Sequence, residues 1–533
     1  MKKFDPALPY ESSRTPVLAR NVVATSQPLA AQAGLQMLAK GGNAIDAALA
    51  AAITLTVVEP TMNGIGGDLF ALVWDGERLH GLNATGCAPD AWTPEYFQGK
   101  DRMPAIGWDT VTVPGAVSGW VELSNRFGQL PFEDLFERAI GYANNGYAVT
   151  PAIARHWAMF ADILGGQPGF AESFLPQGRA PRAGERWSMP AQGATLAEIA
   201  RTRGEAFYRG TLAKAIVDHA KATGGSLTLA DLARHEAQWV EPIEHEYHGY
   251  KIHEIPPSGQ GIAALIALGI LKHTAIDETA PDSAARVHFQ VEAMRLAFNE
   301  AYTHVADPRF MKVSAEELLD EDRLRQLAQR IDPAKASYPA SPGPVRGGTV
   351  YLAAADEQGR MVSLIQSNFK GFGSGVVVPG TGISLHNRGM GFSLEPGHPN
   401  QVAPRKRPFH TIIPAFMSKD GQPVMTMGVM GGNMQPQGHL QVAMRYIDEG
   451  LNPQACSDAP RWRIDDNGRL TLEAHMPAQT VQGLADLGHD PMVAAPDSLD
   501  FGSAQLIARL SADPQDGYAA GSDHRRDGQA VGF

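Results

Sequence analysis

Gly347-Gly348-Thr349-Val350-Tyr351-Leu352 is the stretch on which the reading of this chain turns. A proline-rich run, Pro333-Ala-Lys-Ala-Ser-Tyr-Pro-Ala-Ser-Pro-Gly-Pro344, leads into it. Residues 350–355 are apolar or aromatic, Asp356-Glu-Gln-Gly359 supplies a turn, and Met361-Val-Ser-Leu-Ile365 reads as a returning strand. Two glycines and a threonine at the head of a hairpin suit self-cleavage. Scission before Thr349 gives it a free α-amine beside its own hydroxyl, so that nucleophile and general base share one residue. With the turn centred on Gln358, Ala355 faces Met361 and Thr349 faces Ser367. Directly opposed side chains stand about 4.5–5.5 Å apart at Cβ, which puts the two hydroxyls in reach of each other. The same residues also fit an ordinary surface hairpin after a loop.

The rest of the chain sets bounds. Its 533 residues are ample for a large buried core, in one domain or several. With 44% hydrophobic and 19% charged residues the composition is that of a soluble globular enzyme. A formal net charge of −12 argues against nucleic acid, and the one tight basic cluster, Arg405-Lys406-Arg407, is too short for such a footprint. Two cysteines, Cys87 and Cys456, exclude a disulfide framework or a thiolate metal site. The first ten residues lack an apolar signal core, and the longest largely apolar run, residues 47–58, is too short to span a bilayer; both point to a cytoplasmic protein without a membrane partner.

Helical patterns run over residues 29–40 and 44–57, broken at Gly41-Gly42, and a buried strand over 69–74 ends at Asp75-Gly76. Residues 131–237 are mostly helical, as are 262–272, 283–304 and 316–331; strand signals return at 375–378, 424–427 and 470–472. Strands at both ends with helices between suggest an α+β fold of stacked sheets flanked by helices. The tails, 1–20 and 511–533, read as loosely structured.

Several motifs fall in one order: Gly41-Gly-Asn-Ala-Ile-Asp-Ala-Ala48, Val58-Glu-Pro60, Gly64-Ile-Gly-Gly-Asp68, Val113-Pro-Gly-Ala-Val117, Pro256-Pro-Ser258, Asp307-Pro308, Phe372-Gly-Ser-Gly375, Lys406-Arg-Pro408, Gly431-Gly432 and Asp458-Ala-Pro-Arg461. With Thr349 they make nearly the whole chain resemble the gamma-glutamyltranspeptidase family, whose members are N-terminal-nucleophile hydrolases made as a self-cutting precursor. The resemblance implies an αββα sandwich built jointly by a large chain, 1–348, ending in a flexible linker over 333–348, and a small chain, 349–533. It makes Gly348–Thr349 the cleaved bond, Thr349 the nucleophile, Ser367 its hydroxyl neighbour, and the backbone amides of Gly431 and Gly432 the oxyanion donors. No metal or other cofactor is implied.

Self-cleavage and catalysis then share one chemistry. The Thr349 hydroxyl attacks the Gly348 carbonyl, the amide becomes an ester, and water opens it; glycine resists the strained geometry least. The new amine, with a reference pKa of about 7.7–8.0, accepts the hydroxyl proton as the oxygen attacks a substrate amide.

The substrate pocket is where this chain departs from the family. Thr85 stands where an arginine grips the substrate carboxylate, and Gly391 where an acidic residue grips the α-amine. His410-Thr411 replaces a serine pair, and Phe369 replaces an asparagine for which neighbouring Asn368 is a candidate substitute. Arg388 adds a guanidinium fork suited to a carboxylate, or serves as a structural ion-pair partner. Such a pocket favours a small amide whose acyl part carries a carboxylate and no α-amine, as oxamate-like or glutaryl-like amides do. The family's branch that contains oxamate amidohydrolase and dicarboxylic acylases fits this better than its glutathione-degrading members. The rival readings are a gamma-glutamyl hydrolase or transferase with relocated contacts, an uncleaved binding protein of the same fold, and a metal hydrolase using His245-Glu246-Tyr247-His248, whose spacing is wrong for a helical zinc site.

Overall fold

The computed structural model describes residues 5, 13–337, 348–465 and 467–533. Most of the linker expected at 333–348, including Gly347, lies outside the described residues.

Two seven-stranded antiparallel sheets form the centre. One runs in the order Gln529–Gly532, Val22–Thr25, Gly348–Ala355, Met361–Phe369, Asp68–Trp74, Leu79–Ala84, Gln238–Val240. The other runs Val17–Ala19, Tyr518–Ser522, Ser503–Arg509, Gln422–Met430, Ala415–Lys419, Tyr250–Glu254, Ile243–Tyr247. Strand parity sorts the side chains into layers. Along Gly348–Ala355, the residues Tyr351, Ala353 and Ala355 join Phe416, Met430 and Ile507 of the facing sheet in one apolar layer. Val350, Leu352 and Ala354 turn outward onto helices such as Ala44–Val58 and Ala116–Phe127. The second sheet buries Met417, Met427 and Val429 against Gly261–Leu271, Ala284–His304 and Met434–Ile447. Helix, sheet, sheet and helix are thus stacked in the expected αββα order.

The Ala-rich helix Ala44–Val58 is buried at every position. Asn43 caps it, accepting from Ile45 and Asp46 while Asp46 reaches back to the Asn43 amide, a reciprocal cap that satisfies otherwise orphaned donors. Pro28–Ala39 packs beside it, with the break at Gly41-Gly42 where expected. Two expectations are corrected. The helix over 316–331 is split into Ala315–Leu318 and Glu321–Ala328, because Asp320 adopts an extended conformation and caps the second piece through Asp322 and Arg323. The C-terminal segment is not loose: Tyr518–Ser522 enters one sheet and Gln529–Gly532 the other, and Val17–Ala19 is likewise a strand. No helix among the described residues is long and apolar enough to cross a membrane.

Candidate active site

The hairpin register follows expectation from Ala355 opposite Met361 down to Val350 opposite Gln366, then shifts so that Gly348 faces Phe369. Ser367 and Asn368 therefore oppose the single residue Thr349, an irregularity of the kind that re-aims side chains near active sites. The two hydroxyl oxygens stand 3.2 Å apart, with Thr349 buried. Ser367 Oγ donates to the Gly348 carbonyl at 2.7 Å and accepts from the Phe369 amide at 2.7 Å. A hydroxyl has one hydrogen to give, so Ser367 spends its own on Gly348 and Thr349 is the donor between the two. The chain of donors runs from Thr349 to Ser367 to the carbonyl of the Gly348–Thr349 bond. Phe369 is held at φ 74°, an uncommon conformation for a bulky residue.

Gly431 and Gly432 join strand Gln422–Met430 to helix Met434–Ile447. Their φ values of 132° and 62° account for the glycine pair, since neither suits a side chain. Two glutamines that sequence reasoning missed tie this turn to Thr349. Gln260 Nε2 donates to the carbonyls of Gly432 (2.9 Å) and Thr411 (2.6 Å). Gln435 accepts from the Ile413 amide at 2.9 Å, and its Nε2 lies 3.5 Å from Thr349 Oγ1. Gln260 sits two residues beyond Pro256-Pro-Ser258 and Gln435 three beyond Gly431-Gly432, and that adjacency was the available signal.

Across the sheet from Thr349, Ser367 pairs with Asp68 of the next strand. Asp68 organises a buried polar knot. Arg388 grips it with Nε and Nη2, at 2.8 and 3.1 Å from its two carboxylate oxygens, and His410 Nε2 lies 2.9 Å from Oδ2. Burial alone raises the Asp68 carboxyl, but the Arg388 charge and the His410 contact outweigh it and hold the group far below the usual carboxylate range. Burial and the Arg388 charge push His410 down to about 4, against the pull of Asp68, which leaves the ring neutral at pH 7. His410 Nε2 therefore carries the proton and donates it to Asp68. The third contact of Arg388, from Nη1 to Thr411 Oγ1 at 2.8 Å, leaves the Thr411 hydroxyl hydrogen pointing elsewhere.

A cavity of about 250 Å³ lies beside these residues, walled by Tyr302, Phe369, Phe392, Phe409, Thr411 and Asn433, with Gly391 at its edge. Phe369 faces Gly348 and Asn433 follows the Gly431–Gly432 turn, so this cavity adjoins the Gly348–Thr349 segment. No aspartate or glutamate lines it among the described residues. Gly391 admits no substitute: a Cβ there would stand 2.4 Å from the Phe409 carbonyl oxygen.

The other predicted residues fall elsewhere. Arg388 and His410 stand behind the cavity wall, their donors spent on Asp68 and Thr411. Asn368 turns to Ser384, donating to its hydroxyl at 3.0 Å, and does not line the cavity. Thr85 is buried on Asn83 at 2.6 Å, and its carbonyl accepts from Arg407 Nε at 3.1 Å. His245 lies buried in strand Ile243–Tyr247, while His248, in the turn after it, contacts Asp448.

Comparison with known proteins gives one consistent result. The gamma-glutamyltranspeptidase family model matches residues 30–533. The oxamate amidohydrolase proenzyme of Klebsiella pneumoniae is 38% identical over 95% of this chain and 97% of its own length. The glutathione hydrolase-like YwrD proenzyme of Bacillus subtilis is 36% identical over 96% and 98%. Among solved structures, a cephalosporin acylase from Bacillus halodurans superposes with a TM-score of 0.94 at 47% identity, covering 100% of this chain and 99% of that one. With its stacked sheets and motif order, the chain belongs to the gamma-glutamyltranspeptidase family and is an amidohydrolase-type enzyme of the N-terminal-nucleophile class.

Proposed function

We propose that this chain is a precursor that cuts itself between Gly348 and Thr349, and that the freed Thr349 hydrolyses a small amide whose acyl group bears a carboxylate and no α-amine. The observation that carries the reading is the donor chain from Thr349 through Ser367 to the Gly348 carbonyl oxygen. Attack by Thr349 Oγ on the Gly348 carbon builds negative charge on the oxygen that Ser367 already holds. The carbon–nitrogen bond breaks with the proton passing to nitrogen, an ester forms, and water releases the Gly348 carboxyl. The same hydroxyl, now beside a free amine, attacks the substrate amide. The Gly431 and Gly432 amides receive the oxyanion at the head of helix Met434–Ile447. The substrate amine leaves and water clears the acyl group.

The cavity supports the choice of acyl group. Without a carboxylate on its wall and with Gly391 closed to any side chain, it offers nothing to neutralise a substrate ammonium. Thr411, accepting from buried Arg388, directs its hydroxyl hydrogen outward as a donor polarised by a cation, and Asn433 supplies an amide. Arg388 thereby reaches the substrate through Thr411.

Intact mass of the purified protein beside Thr349→Ala tests the first half. Two fragments, the smaller starting at Thr349, are expected from the parent and one chain from the variant; a single chain in both leaves the binding-protein reading instead. For the second half, kcat/KM is compared on glutaryl and gamma-glutamyl amides of one leaving amine. At least tenfold preference for glutaryl is expected. The reverse preference would assign the chain to gamma-glutamyl compounds.

A further inference from the structure

A cavity of about 1380 Å³ lies away from the nucleophile, on the far side of helix Pro151–Leu164. Phe160 of that helix packs toward the nucleophile, where a Cβ on Gly371 would meet its ring at 2.1 Å. Ala154, Ala158 and Ala161 face the cavity from the same helix. Six arginines and three aspartates line it. Most of those arginines are already committed. Arg155 pairs with Asp497, Arg179 with Glu185 and Arg525 with Glu473, while Arg14 donates to the carbonyls of Asp523 and Gly528.

Arg526 is different. It is 8% exposed and lines the cavity, yet among the described residues its side chain makes one hydrogen bond, from Nη2 to the Leu499 carbonyl at 3.3 Å, and Nε and Nη1 have no partner. Arg182, exposed on the same wall, makes no side-chain ion pair among the described residues. Other buried polar atoms in this region are also unmatched: Thr150 Oγ1, whose residue lines the cavity, His156 Nδ1, Glu59 Oε1 and Gln27 Nε2. Burying polar groups without partners is costly, and buried cations are ordinarily paired.

The three acids whose charges act on Arg526 are Glu59, Asp523 and Asp527, and each is held by other donors, Asp523 by Arg461 and Arg525. Both oxygens of Asp527 accept from the Ala152 amide at the start of the helix. Glu59 accepts from Ser26, and burial pushes its carboxyl up to about 7 despite that bond and the Arg526 charge, so near neutral pH it is only partly an anion.

The geometry points to a binding site for a small oxyanion, a carboxylate or phosphate group, anchored on the unpartnered Arg526 guanidinium with Arg182 at the rim, inside a cavity separate from the nucleophile. The Arg526 guanidinium and the Thr150 hydroxyl, both on residues that line the cavity, supply what a carboxylate or phosphate seeks. The cavity volume leaves space for the body of a small metabolite behind the charged group.

The test is isothermal titration of the full protein with sodium phosphate and, separately, with sodium succinate, at fixed ionic strength. Expected is saturable binding of at least one, with Arg526→Gln weakening it tenfold or more, Arg182→Gln weakening it at least threefold, and Thr349→Ala leaving it unchanged. Saturation by one anion alone tells phosphate from dicarboxylate, and either supports the site. Should Arg526→Gln not fold, the Arg182→Gln threshold decides. The inference is overturned if neither anion saturates, if every folded arginine variant binds as the parent does, or if Thr349→Ala abolishes binding, which would place the anion at the nucleophile.

Discussion

Asp68 faces Ser367 across the sheet and takes two donors from Arg388 and one from His410 without access to solvent. Removing a single partner from a buried ion pair costs about 3–5 kcal/mol, because the surviving charge is left uncompensated. Asp68→Asn is therefore expected to lower the thermal midpoint clearly and to slow self-cleavage with it. A fall in activity with no loss of stability would contradict the structural role. The knot also sets a pH dependence. His410 binds its proton more weakly in the fold, at about 4, than the ordinary 6.5, so protons favour the unfolded chain. That contribution is complete above pH 6.5 and fades as pH falls to 4, a loss of about 3 kcal/mol. His386, also pushed down to about 4 by burial, acts in the same direction. Denaturant midpoints between pH 7.5 and 4.5 should fall for the parent and fall less steeply for His410→Gln. Gly391→Asp restores an acid on paper, yet its Cβ meets the Phe409 carbonyl. Overpacking of this kind costs about 1–3 kcal/mol, so the variant is expected to lose stability without gaining gamma-glutamyl hydrolysis, read by thermal shift and by amide turnover.

The elements that hold Thr349 differ in how openly the sequence declares them. The hairpin was legible down to Val350, because the apolar run Val350–Ala355 and the Asp356–Gly359 turn are local signals, whereas the register shift at Thr349 was not. The split at Asp320 was not, since a helical pattern hides a capping residue inside it. The strands Tyr518–Ser522 and Gln529–Gly532 were missed because Tyr518-Ala-Ala-Gly-Ser522 has little β propensity. Tertiary pairing with Ser503–Arg509 and Val22–Thr25 makes them strands. Truncation after Leu510 removes a strand from each sheet, and the shortened chain is expected not to accumulate in soluble form; a soluble truncation with a cooperative transition would refute this. The site divides along the same line. Thr349, Ser367 and the glycine pair could be placed from motifs, whereas the partners of Arg388 and the glutamines Gln260 and Gln435 depend on long-range contacts that no local pattern encodes. Gln435→Leu leaves the Ile413 amide buried without a partner, a loss of about 1–3 kcal/mol that, if felt at the transition state, is about tenfold or more in rate. Expected is a lower kcat with KM little changed, measured in single-turnover and steady-state assays.

Strands from before and after residue 348 share both sheets: Val22–Thr25 and Asp68–Trp74 flank the hairpin in one, and Tyr250–Glu254 borders Ala415–Lys419 in the other. The proposed cut leaves every one of these pairings in place. The processed protein should elute from a sizing column as one particle in native buffer and give two bands only under denaturing conditions; separation in native buffer would count against the shared sheets. The weave also changes what unfolding means. Before the cut, a chain that opens keeps its halves tethered and can refold alone, whatever the dilution. After it, recovery needs two strangers to meet, so it becomes second order and fades as the solution is diluted. Maturation would thus exchange an equilibrium for a lifetime, and the finished enzyme would persist by the slowness of its opening rather than by its ability to return.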